Sequence, residues 1–231
     1  MQHHIEHGPA FAWLRVGLEP GERIVAEAGA MVRQSPALEV ETRLNASRKG
    51  GFLGTLVAFF VALMRRLFGG ETMFLNEFWG PRGGEVVLAP KLSGNILRKT
   101  LDGTRTLFVQ TGGYLASTIG IDTKLRFGGL RTLFGGEGLV LLQCSGQGDV
   151  FVNSYGGITE VAVDGTFVVD TGHIVAFDGA LDFRVRSIGG AKSFLFSGEG
   201  LVCEFQGRGT VYIQSRNLKA LVGWVTPLLP P

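Results

Sequence analysis

Apolar and polar residues alternate along separate stretches of the chain, in the same register against a glycine each time. Two residues before Gly80, Gly146 and Gly207 stand Phe78, Cys144 and Phe205; four before stand Asn76, Leu142 and Cys203. Between them lie Glu77, Gln143 and Glu204. A period of two predicts strands with one buried and one wet face. After the glycines come EVVL (85–88), DVFV (149–152) and TVYI (210–213), each preceded by a further glycine: Gly84, Gly148 and Gly209. Each pair of stretches is therefore expected to fold back as a hairpin through a Gly-rich turn.

A second phrase precedes each pair. PGERIVAEAGAMV (20–32), DGTRTLFVQTGGYLA (102–116) and DGTFVVDTGHIVAF (164–177) give a turn glycine, a β-rich stretch, a second glycine and then apolar residues. Gly29, Gly113 and Gly172 are the expected equivalents. Turn residues bracketing short strands predict an all-β fold, and copies of roughly 60–70 residues, too small to bury both faces alone, would share a core about a pseudo-threefold axis. The expected architecture is three β-sandwich or barrel-like subdomains in one compact unit. Their boundaries are 9–98, 99–160 and 161–219, with 220–231 as a C-terminal tail.

An insert in the first copy, residues 48–70, breaks the symmetry. From Phe52 to Met64 no charge occurs, and the run is bounded by Arg48-Lys49 and Arg65-Arg66. It predicts one short apolar helix, shorter than the roughly 20 residues a membrane-spanning helix needs. Phe52, Leu56, Phe59, Phe60 and Leu63 would supply its contact surface, with Arg65 and Arg66 beside it. A helix apolar all round must be covered: by the protein's own core, by another subunit, or by an anionic membrane surface.

Composition supports the β reading and narrows the chemistry. The 231 residues include 36 glycines without a strict triplet period, which excludes collagen and suits many tight turns. Net charge is +2, with +5 in residues 1–131 and −3 in 132–231, too weak a field to predict nucleic-acid binding. Cys144 and Cys203 form no metal spacing and read as buried small hydrophobes. The start, MQHHIEHGPAF, lacks a basic region and apolar core of a secretory signal, so a cytoplasmic location is expected, with peripheral contact at the inner face of a membrane as an extension.

Candidate chemistry is sparse. Glu71, Glu137 and Glu199 recur ahead of the three strand pairs; they either fix Gly-rich turns by accepting backbone N–H groups or meet at the axis to hold a cation, the first reading being preferred. His3, His4 and His7 have the wrong order for a zinc helix. His173 with Asp170 offers a base without a recurring nucleophile. GGAKS (189–193) departs from the phosphate loop at Ala191 and leads into a strand. No residue is assigned to catalysis, a cofactor or a metal.

PGE (20–22), GGETMF (69–74), GGEGLV (135–140), VDTGHIVAF (169–177) and SGEGLVCEFQGRGTVYIQSRN (197–217) together resemble the bacterial relatives of the altered inheritance of mitochondria protein 24 family, over about residues 9–219. The resemblance implies three subdomains similar to the Trp RNA-binding attenuation protein (TRAP-like), with internal pseudo-threefold symmetry. Mitochondrial members of that family are linked to the inner membrane and to cristae-junction complexes, and no catalytic residues carry over. The apolar 52–64 segment departs from the family's Gly-rich insert. Nor does the fold's namesake imply RNA or tryptophan binding, since function belongs to sites. The expectation is a non-enzymatic interaction or scaffold protein, homo-oligomeric, peripheral at a membrane or bound to a membrane protein through residues 48–68. The alternative is a small-ligand or RNA binding module using grooves between subdomains.

Overall fold

A computed structural model describes residues 1–44, 74–128, 139–187 and 201–229. Among these the chain is all-β. The first strands are β1 (Gln2–Glu6), β2 (Trp13–Leu18), β3 (Arg23–Glu27), β4 (Met31–Gln34), β5 (Glu39–Leu44), β6 (Phe74–Trp79) and β7 (Gly84–Leu88). There follow β8 (Ile96–Asp102), β9 (Leu107–Gln110), β10 (Tyr114–Thr118), β11 (Ile121–Gly128) and β12 (Leu139–Asn153). The last are β13 (Ile158–Asp170), β14 (Ile174–Asp178), β15 (Asp182–Ser187) and β16 (Leu201–Gln214). Among the described residues one α-helix, α1 (Leu218–Val225), runs from the end of the expected third copy into the segment expected as a tail, and it is capped by Asn217, whose side chain accepts from Lys219 N and Ala220 N.

The expected hairpins do not form. β6 and β7 lie in different sheets: β6 joins β3 and β5, whereas β7 joins β2 and β4. The corresponding stretches further on are single long strands. β12 pairs with β8 and β10 through its C-terminal part, and with β9 and β11 through its N-terminal part. β16 is shared in the same way by β13, β14 and β15. The physical reason lies in the glycines. Gly146 and Gly207, at φ +112° and +116°, bend their strands at mid-length, so each strand passes from one layer to the next without reversing.

The sheets are not closed into a barrel. A four-stranded sheet runs β1-β2-β7-β4, and a twelve-stranded sheet follows the path β13-β16-β14-β9-β12-β10-β3-β6-β5, with β8 and β11 also paired to β12 and β15 to β16. Three apolar clusters fill the layers. One gathers Leu14, Ile24, Phe78, Val86, Leu115 and Phe151; the next holds Leu107, Val109, Leu142, Cys144, Val150 and Tyr212; another holds Leu141, Ile174, Phe177, Cys203, Phe205 and Val211. Each fully buried large side chain contributes about 1.5–3 kcal/mol, and Phe177 adds edge contacts to Phe183 and Phe205 with centroids 4.9 Å away. Both cysteines are 0% exposed, and burial pushes each thiol up to about 12.

The face read as wet is covered. Glu77 is 1% exposed and Glu204 7%, because neighbouring strands hold arginines over them. Arg23 reaches Glu77 at 2.5 Å and lies over the Trp79 ring. Arg184 and Arg186 meet Glu204 at 2.5 and 2.8 Å, and Arg126 donates to Gln143 at 2.7 Å. A carboxylate beneath a pair of guanidiniums gains charge-assisted hydrogen bonds that offset its desolvation. Period-two polarity placed these residues on one face correctly but carried no sign of what lay above them.

Candidate functional site

The strand order brings three turns and three strand ends to one place. Glu27 ends β3, Gln110 ends β9 and Asp170 ends β13; the turn after each leads into β4, β10 and β14. Gly29 and Gly112 occupy like positions in the first two turns, at φ +89° and +88°. Gly112 therefore replaces Gly113 in the expected correspondence: it stands two residues before β10, as Gly29 does before β4. Lys91, Asn153 and Gln214 lie at or just past the ends of β7, β12 and β16.

Glu27, Lys91, Gln110, Gly112, Asn153, Asp170 and Gln214 line a cleft of about 940 Å³, with Leu139, Leu201, Val175 and the α1 residues Leu218 and Val222 as apolar walls. Its polar groups are mostly matched. Lys91 Nζ lies 2.5 Å from Glu27 Oε1, an ion pair exposed enough to be worth at most about 1 kcal/mol. Asp170 accepts from Gly172 N (2.8 Å) and Asn217 Nδ2 (3.3 Å). With its side-chain amide turned so that oxygen and nitrogen exchange places, Gln110 donates to Thr171 O (3.2 Å) and to Ile174 O. Gln214 donates from Nε2 to Gly172 O (2.9 Å) and accepts at Oε1 from Tyr155 N (2.8 Å). Asn153 donates from Nδ2 to Gly112 O (2.9 Å), and its buried Oδ1 meets no partner among the described residues.

Of the residues singled out by sequence, His173 and Asp170 lie at this cleft's third turn but serve different partners. His173 Nδ1 donates to Gln214 O at 2.7 Å, while Asp170 caps the turn Thr171–His173. His3 and His4 fall on β1, where His3 sits 2.9 Å from Arg98 and its ring meets the edge of Phe151. His7 packs on Trp13. Glu71, Glu137 and Glu199 lie outside the described residues, as do Phe52, Leu56, Phe59, Phe60, Leu63, Arg65, Arg66 and the GGAKS stretch. No helix among the described residues is long and apolar enough to cross a membrane. Sequence reasoning missed Asn153, Gln214 and Lys91; the same spacing from the bend glycines Gly146 and Gly207 to Asn153 and Gln214 is the signal that would have found those two, and Lys91 carries no such signal.

Comparison with known proteins returns one family and two relatives of note. The family model described as mitochondrial biogenesis AIM24 matches residues 3–216. An uncharacterized protein of Streptococcus pyogenes serotype M6 is 31% identical over 233 residues, covering 100% of this chain and 92% of that one. A crystal structure of a Streptococcus pyogenes protein is similar over 99% of each chain, at 30% identity and a TM-score of 0.80.

Proposed function

Given that the chain belongs to the mitochondrial biogenesis AIM24 family, we propose that it is a non-enzymatic scaffold: one β unit stated three times, which assembles with further copies of itself through two open sheet edges. Support for the triplication comes from register. Met31 faces Leu88, Tyr114 faces Val152 and Ile174 faces Ile213, and in all three pairs a bulge follows at once. Between units, β10 pairs with β3 and β14 pairs with β9. By the same rule β4 would meet the last residues of β13, yet among the described residues no strand covers either edge.

One observation carries the assembly reading. Val32 in β4 is 50% exposed, while its counterparts Leu115 in β10 and Val175 in β14 are 0% and 1% exposed. Met31 and, on the β13 edge, Val168 are exposed as well. Uncovered apolar edge strands are templates for pairing with another chain, and the β13 edge of a second copy fits β4 by the register already used twice within one chain. Arg33 stands where the other units carry Ala116 and Ala176; its ion pair with Glu85 (2.7 Å) supplies a counter-charge at the seam. Light scattering behind size exclusion tests the reading. The expected mass exceeds the 24.8 kDa of one chain, and Val32→Asp returns it to that value with the β circular-dichroism spectrum intact. A wild-type protein that is monomeric at micromolar concentration would overturn it.

The second reading is peripheral contact with an anionic membrane through residues 48–68. It is favoured by α1, which has no buried residue and exposes Trp224, and by the exposure of Leu228 and Leu229 just past it. Liposome flotation is its test.

A further inference from the structure

We propose that Arg33 limits how tightly copies of the chain join, holding the seam between copies weaker than the seams within one; this rests on the assembly reading above. Positional equivalence identifies the residue. Arg33 faces Val87, Ala116 faces Phe151 and Ala176 faces Tyr212, each directly after the bulge. Two residues further on, Ser35 Oγ, Thr118 Oγ1 and Asp178 Oδ2 accept from the backbone N–H of Glu85, Asp149 and Thr210 at 2.9, 3.0 and 2.9 Å. The three strands are therefore held in one register, with alanine at this position in two of them and arginine in β4.

The seams already closed within the chain show what that position meets. Ala116 lies opposite Ala26 of β3 and Ala176 opposite Val109 of β9, and all four are 0% exposed. Continued to a second copy, the register sets Arg33 opposite Val169. Val169 faces Cys203 as Ala26 faces Asn76 and Val109 faces Leu142. With the seam open, the Arg33 side chain is 57% exposed and its guanidinium meets Glu85 at 2.7 Å. Closing the seam takes this ion pair out of water at a place where the internal seams bury methyl and isopropyl groups.

Two opposing effects act on the pair. Glu85 keeps the guanidinium matched, so the seam can close with the charge inside it. Desolvating both charges commonly costs more than their attraction returns, and apolar side chains in place of a buried ion pair are often the more stabilising choice. Charge on an edge strand is also a general means of restraining strand-to-strand association. The exposed apolar side chains of Met31, Val32 and Val168 thus drive joining, and Arg33 sets its limit, leaving the assembly able to come apart while the three units of one chain stay together.

Sedimentation equilibrium over a dilution series of the full-length protein is the test. Arg33→Ala, which copies the internal seams, should assemble about tenfold or more tighter than wild type, and Arg33→Val should do the same. Adding Val32→Asp to Arg33→Ala should return a single chain. Glu85→Gln leaves the guanidinium without its counter-charge and should weaken assembly about tenfold or more; with Arg33 already alanine, the same change should cost less than about threefold. Arginine-free variants that assemble no more tightly than wild type, or a Glu85→Gln effect undiminished by Arg33→Ala, would overturn the proposal. The two readings fail separately. Wild type that stays monomeric while Arg33→Ala assembles removes the scaffold reading and keeps the limit set by Arg33. Wild type that assembles, with Arg33→Ala no tighter, does the reverse, and monomers throughout remove both.

Discussion

Replacing Gly146 by alanine separates two costs that a bend glycine avoids. Gly146 sits in β12 opposite Ile121 at φ +112°, and a Cβ there would lie 2.2 Å from Gly120 O. That carbonyl accepts from Gln147 N at 3.2 Å, so moving it away sacrifices the bond. Gly165 offers the control: it is paired with Gly207 in the last unit, has φ +108°, and an added Cβ would meet nothing within 4 Å. Both alanines pay for an unfavourable backbone, about 1–2 kcal/mol. Only Gly146→Ala adds a lost hydrogen bond, about 1 kcal/mol, and the displacement of packed backbone, about 1–3 kcal/mol. Gly165→Ala should therefore cost about 1–2 kcal/mol and Gly146→Ala about 3–6. Urea denaturation followed by tryptophan fluorescence measures both, and for a chain of this size each kcal/mol lowers the melting temperature by about 2–4 °C. Equal losses in the two variants would refute the claim that close approach of Gly120 to the bend, and not φ alone, fixes this glycine.

Glu204 carries a pH prediction. Hydrogen bonds from Arg186 and then Arg184 hold its carboxyl below the ordinary glutamate value of 4.5. A depressed folded-state value means stability that is present above about pH 4.5 and is lost as pH falls through the folded-state value. Denaturation series across that window should show a shallower acid-side decline for Glu204→Gln than for wild type; parallel curves would sink the assignment. For the membrane reading, wild-type protein should float with liposomes containing anionic lipid and Phe59→Asp should float less. Absence of flotation at every lipid composition removes that reading.

How much of the cleft could be read from sequence follows from which interactions are local. Strand positions such as 74–79 and 84–88 were legible because side-chain alternation is set by backbone pleat within a few residues. Gly146 and Gly207 were legible as special positions, but not as bends inside continuous strands, since a positive φ serves a reversal and a corner equally well. The burial of Glu77 and Glu204 was hidden for a related reason. Arg184 is 20 residues from Glu204 and Arg23 is 54 from Glu77, and only strand pairing makes them neighbours.

By itself, then, the chain's pattern determined an all-β fold, the placement of most strands and the positions of the bend glycines, because these depend on periodicity and on backbone conformations that few residues tolerate. Only the tertiary structure decided that β6 and β7 separate into different sheets, that arginines roof the carboxylates, and that Asn153, Gln214 and the strand ends Glu27, Gln110 and Asp170 line one cleft. Those outcomes rest on contacts between residues far apart in the chain, whose geometry is settled by packing and hydrogen-bond satisfaction and leaves no local signature.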